Sequence, residues 1–95
     1  MRLEIAVRAR RDLDEIHWYG LDHYGAARAD AYLAELFAKF RYVAERPHTA
    51  PERFAMRSTV RLSRMRAHNI FYIIEREVVT VLRIFHHSVN WIDLL

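Results

Sequence analysis

The closing stretch VVTVLRIFHHSVNWIDLL sets an arginine inside an apolar run and follows it with two histidines and a tryptophan. Strand alternation predicts Val79, Val81, Arg83 and Phe85 on one face, and Leu82, Ile84 and His86 on the other. Upstream, Glu52 and Glu75 bracket a run without carboxylates that holds Arg53, Arg57, Arg61, Arg64, Arg66 and His68. Arg61 is expected on a strand near Arg83. Together with one of the histidines, these two arginines would form a cluster able to grip an anion, since guanidinium forks pair bidentately with carboxylate and phosphate. The same residue types serve RNA cleavage, in which arginine stabilises phosphorane charge and histidine moves a proton near neutral pH. Plainer readings stand beside these. Arg83 could pack its stem on the open face of the sheet with its head in water. Trp91 could be a lid on the sheet edge rather than an anchor for a partner.

Other chemistries find little support. The six histidines, at 17, 23, 48, 68, 86 and 87, form no HxxxH or HExxH pair. His86 and His87, as strand neighbours, would point to opposite faces, so no metal centre is expected. The absence of cysteine removes disulfides, thiolate ligands and thiolate nucleophiles. Ser58, Ser63 and Ser88 lack a nucleophile-elbow context. Two glycines cannot build a glycine-rich phosphate loop. No cofactor is expected.

The elements that must position these residues follow from periodicity. RLEIAV alternates Leu3, Ile5 and Val7 and reads as a first strand. From Ala9 the spacing turns helical through Leu13, Ile16, Gly20 and Tyr24, with Asp12, Asp14 and Glu15 in early turns suited to the helix dipole. Gly25 is a predicted stop. Ala29, Leu33, Leu36, Phe37, Phe40 and Val43 then form the strongest helical stripe, closed by Pro47. So short a link between two helices predicts an antiparallel hairpin. RPHTAPERFAMRST reads as a loop. TVRLSRM alternates Val60 and Leu62 against Arg61 and Ser63. NIFYIIE is apolar enough to be covered on both faces. A tight turn is expected about Arg76 and Glu77, then the last strand, then a short helical turn in SVNWIDLL. The order β-αα-β-β-β predicts an α+β fold, a helical hairpin on one side of a small, mainly antiparallel sheet.

Ninety-five residues fit one domain spanning 1–95. Hydrophobic residues at 53% and charged residues at 28% argue against disorder. No signal-peptide core or membrane-length apolar run is present, so a cytoplasmic protein without membrane contact is expected. The net charge of +3 arises wholly in the second half, because residues 1–50 hold eight acidic and eight basic side chains and residues 51–95 hold four and seven. The arginine-rich stretch is either a solvated surface or a docking face for an acidic partner or a phosphate backbone.

These pieces, in this order, resemble the ParE toxins of the ParE/RelE toxin–antitoxin superfamily over nearly the whole chain. DLDEIHWYGLDHYGAARADAYLAEL is similar to the family's helical hairpin, and FRYVAERPHTAP to its helix end and proline loop. AMRSTVRLSRMRAHNIFYIIE resembles its "LR…R…H.IFY" strands, and VVTVLRIFHHSVNW its closing "I.VLR.LH…DW" strand. Arg57, Arg61, His68, Tyr72, Arg83 and His86 fall on motif positions.

The resemblance implies a RelE/ParE-like fold and a ParD-like antitoxin partner in a hetero-oligomer. It implies DNA gyrase as the target, inhibited by binding rather than by catalysis, with no sequence-specific nucleic-acid binding. The RelE branch, a ribosome-dependent mRNA endoribonuclease, and a weakly toxic antitoxin-binding module of the same fold are the alternatives. Arg66-Ala67 replaces a frequent Gly-Arg, Asn69 stands where the ribonuclease branch often has a catalytic arginine, and Lys39 is the sole lysine. These departures disfavour the ribonuclease. Arg57, Arg61, Arg64, Arg83, His86 and Trp91 are the expected contacts to antitoxin or target, and no residue is assigned a catalytic role.

Overall fold

The computed structural model describes residues 1–55 and 58–95, and only the backbone of Phe54, Ala55 and Ser58. β1 (Arg2–Ile5) leads into α1 (Val7–Tyr24) and α2 (Ala26–Glu45). β2 (Glu52–Ala55), β3 (Ser58–Met65), β4 (His68–Glu75) and β5 (Val78–His86) follow. The sheet order is β1-β5-β4-β3-β2. Among the described residues only the β1–β5 pair is parallel. This is the expected α+β architecture, with one more strand than expected. β2 lies in the segment read as a loop, where Pro47 and Pro51 mask the signal. Pro51 directly precedes this edge strand, a place where its missing N–H costs no ladder bond.

The chain switches from strand to helix at Ala6. Its N–H gives the last bond to the neighbouring strand, to Val81 O at 2.9 Å, and its carbonyl accepts the first helical bond from Arg10 N at 3.0 Å. α1 therefore begins at Val7, earlier than the periodicity suggested, and its first turn holds no acidic residue. The expected dipole role for Asp12 is thereby replaced by a tertiary one, described below. Gly25, at φ 85°, ends α1 and opens α2, a conformation that disfavours any residue with a Cβ. Gly20 is required for a different reason: a Cβ there would lie 3.0 Å from the Ala29 Cβ on the facing helix.

The hairpin packs on one face of the sheet, where Ala9, Leu13, Leu36 and Phe40 meet Ile70, Val81 and Ile84. On the other face, Val60, Phe71 and Phe85 are covered by Val89, Trp91 and Leu95 of the C-terminal segment. β4 is thus covered on both sides, as its apolar run predicts, and Ile70, Phe71 and Tyr72 are fully buried. The C-terminal segment contains two hydrogen-bonded turns, Val89 N to His86 O at 3.0 Å and Leu94 N to Trp91 O at 2.9 Å.

A bulge changes the expected facing of β5. Phe71 pairs with Arg83, yet the next β4 residue, Tyr72, pairs with Val81, so Leu82 is the extra residue. Val79 and Val81 therefore face the helices, while Leu82 and Phe85 face the C-terminal segment. Arg83 and Phe85 do not share a face with Val79 and Val81, because simple alternation fails across the bulge. The β4–β5 turn forms at Arg76 and Glu77 as expected, with both at positive φ, 51° and 61°.

Candidate functional site

Arg83 does not extend into water. Its Nε donates to Asp12 Oδ2 at 2.9 Å and its Nη2 to Oδ1 at 3.2 Å. Asp12 also accepts the Ile84 backbone N–H at 3.0 Å and Arg8 Nη1 at 2.9 Å. β1 stops at Ile5, beside Val81. Beyond that point the edge of β5 meets α1, and Asp12 takes the ladder position that another strand would have filled. The Arg83 guanidinium lies 4.3 Å over the Phe85 ring, which completes its packing. The buried carboxylate carries four charge-assisted or backbone bonds, the condition under which a buried ion is tolerated.

The expected cluster of Arg61 with Arg83 does not form. Arg61 donates to the carbonyls of His48 and Ala50, at 3.2 and 2.7 Å, and to Glu52 Oε1 at 2.8 Å, so it ties down the loop before β2. Arg64 Nε donates to Arg66 O at 2.7 Å across its own turn. Trp91 is partly buried, with its ring centroid 4.9 Å from that of Phe71, so it is a lid over the face of central β4 and not over the sheet edge. Arg57 lies outside the described residues.

The histidines come together at the end of the sheet. His68 and His86 are directly paired across β4 and β5, with ring centroids 5.6 Å apart. Alternation ends at His86, so the His87 ring turns back to within 4.4 Å of it rather than pointing to the opposite face. His68 Nδ1 lies 2.6 Å from the Tyr32 hydroxyl of α2. Burial lowers the His68 pKa to about 4, with His86, His87 and Arg64 adding to the effect. Burial also raises the Tyr32 phenol. Among the described residues, no group of three or more His, Cys, Asp or Glu side chains could hold a metal ion.

Asp12, Arg83, His68, His86 and Tyr32 all line one groove of about 830 Å³ between the hairpin and the end of the sheet. Its apolar walls include Ile16, Ala29, Leu33, Ile84 and Val89. Tyr19 and Tyr24 stand exposed at the hairpin end, with the Arg28 guanidinium 4.8 Å over the Tyr24 ring. Arg66 lines the other side and pairs with Glu35 at 2.9 Å. An open, mostly apolar trough of this length suits a peptide segment better than a small polar substrate.

The family model described as the ParE toxin of the type II toxin-antitoxin system, parDE, matches residues 3–91. The chain belongs to the ParE toxin family. Toxin ParE1 of Caulobacter vibrioides is 31% identical over 83 residues, which cover 87% of this chain and 85% of that protein. A solved chain of the chromosomal ParDE TA system from P. aeruginosa superposes with a TM-score of 0.79 at 17% identity, covering 90% of this chain and 95% of that one. The latter shows the shared fold.

In this ParE toxin the sequence singled out three groove residues, Arg83, His86 and His68, but missed Asp12 and Tyr32. Asp12 was hidden because an acid near a helix start already has a local explanation. Tyr32 looked like one more residue of the second helix of the hairpin. Neither partnership could be found from local spacing, since the contacts join residues 71 and 36 positions apart.

Proposed function

We infer that this toxin acts by binding and blocking DNA gyrase, without catalysing a reaction, and that a ParD-like antitoxin neutralises it by laying an amphipathic, acidic segment into the groove. Family membership supports the toxin role, and the shape and apolar walls of the groove support a helical or extended peptide as its occupant. The observation that weighs most against ribonuclease chemistry is the commitment of the arginines. Arg83 gives its guanidinium to Asp12, and Arg61 gives its own to the loop and Glu52, so neither is offered to a phosphorane beside His86.

The test uses purified toxin, purified gyrase and the antitoxin encoded with it. Blocked supercoiling or trapped cleaved DNA, relieved by antitoxin, is the expected result. Codon-linked mRNA cuts in a translation extract, with gyrase unaffected, would replace this reading with the ribonuclease. Antitoxin binding with neither effect would reduce the protein to a weakly toxic binding module.

A further inference from the structure

The hydrogen bonds around His68 and His86 show which nitrogen of each ring is already engaged. His86 Nδ1 accepts the Ser88 backbone N–H at 3.2 Å and lies 2.7 Å from the Ser88 hydroxyl. A ring nitrogen that accepts carries no proton, so neutral His86 is protonated at Nε2. The Tyr32 hydroxyl, kept protonated by burial, lies 2.6 Å from His68 Nδ1 and 3.5 Å from Met65 O. The hydroxyl engages His68 Nδ1, so Nε2 is the ring nitrogen left open. Among the described residues no buried side-chain nitrogen or oxygen lacks a partner. The unpartnered Nε2 of His68 therefore reaches solvent. Two imidazoles in direct cross-strand register thus each leave Nε2 open, an N–H donor whenever the ring is protonated, and both line the groove.

We propose that His68 and His86 form a two-donor receptor for a carboxylate side chain of the protein that fills the groove. This rests on the reading of the groove as the seat of an acidic partner segment. A carboxylate has two oxygens, each able to accept one N–H. The surroundings of the pair favour an anion: Arg64 lies near His68 at the end of β3, Arg66 of the following turn lines the groove, and the His87 ring lies beyond β5. From α2 come the Tyr32 hydroxyl and Glu35, the latter already paired with Arg66. His17, also in the groove, is held by Asp30 at 2.7 Å. A nucleic acid fits less well. Asp12 holds Arg83, and Glu15 lines the same trough, which leaves little free positive charge for a run of phosphates, whereas a peptide can place one acid at the histidines and apolar residues along the rest.

In the free protein, burial and neighbouring positive charge keep His68 neutral. A bound carboxylate favours the protonated rings, so the complex takes up protons, and affinity rises as pH falls through the histidine range. The site is tested first with small anions. Histidine side-chain NMR is recorded across pH in sodium acetate, sodium phosphate, sodium chloride and a ten-residue oligouridylate at equal ionic strength. Acetate and phosphate are expected to raise the titration midpoint of His68 above its chloride value and to move the His86 side-chain resonances, while the His23 and His48 resonances stay put. His86→Gln is expected to abolish the shift at His68. A His68 midpoint no different in acetate than in chloride would overturn the proposal. A shift with oligouridylate but not with acetate would transfer the site to nucleic acid.

The second arm measures antitoxin affinity at pH 8 and pH 6. Binding about fivefold tighter at pH 6, with the difference lost in His86→Gln, is expected. Equal affinity at both pH values would sink the receptor and leave the groove reading intact. An antitoxin that does not bind at all would overturn the groove reading, and the acetate arm would still decide the site.

Discussion

Arg83 and Asp12 show how one ion pair explains a sequence anomaly. An arginine inside an apolar strand is tolerated because α1 delivers a carboxylate to the open edge of β5, and that carboxylate also satisfies the Ile84 N–H. Asp12→Ala would leave a partly buried guanidinium and a backbone donor without a partner. A loss of about 3 kcal/mol in urea unfolding is expected. Asp12→Leu combined with Arg83→Met should recover much of it, because two apolar residues leave no charge stranded. An additive double mutant would contradict this coupling. His68 makes the complementary case with a neutral group. Its folded pKa of about 4 lies below the ordinary 6.5 of an unfolded chain, so between these values the unfolded state binds the extra proton. Stability from this residue is complete above pH 6.5 and erodes as pH falls toward 4. His68→Gln should flatten that part of the stability–pH curve in chemical denaturation, while an unchanged slope would assign it to other groups.

At the scale of the element, turns and the bulge carry the unusual backbone. The β4–β5 turn places Arg76 and Glu77 at φ 51° and 61°, the two left-handed positions of a tight hairpin turn. Neither residue type favours that conformation, and the four-residue stretch EREV still closes because the flanking strands pair buried Val79 with half-buried Ile74. Replacing Arg76 by Asn and Glu77 by Gly should raise stability by about 1 kcal/mol, read as a higher urea midpoint with the same slope. The β3–β4 turn carries Arg66 at φ 51°, where the resembling family often has glycine. The arginine brings an exposed pair with Glu35, a contact of little energetic weight at a solvent-facing site.

The whole molecule is a three-layer arrangement of hairpin, sheet and C-terminal cover. Trp91 sits on Phe71 and helps seal the face that the helices leave open. Trp91→Ala is expected to cost about 2 kcal/mol from lost apolar burial. Removal of residues 90–95 should cost more, since Phe71 and Phe85 would meet water. Thermal melts of both variants decide this, and a truncated chain as stable as the full one would show that the cover contributes nothing. Loss of toxicity on truncation therefore has to be read beside the melt, because an unfolded toxin and a toxin without its anchor look alike in a growth assay.

The helical stripe through Phe40, the tight turn at Arg76 and Glu77 and the doubly apolar β4 were legible in the sequence, because local periodicity and local turn geometry set them. The family, too, was legible in the order of its motifs, and the match over residues 3–91 agrees. Tertiary structure decided the rest. The bulge at Leu82 overturned strand alternation, and the chain's acids and arginines paired by proximity in the fold instead of by charge runs along the sequence. A pattern of side chains fixes which face is apolar over a few residues. Which donor meets which acceptor across 71 positions depends on where two elements end against each other, and that is set only when the chain packs.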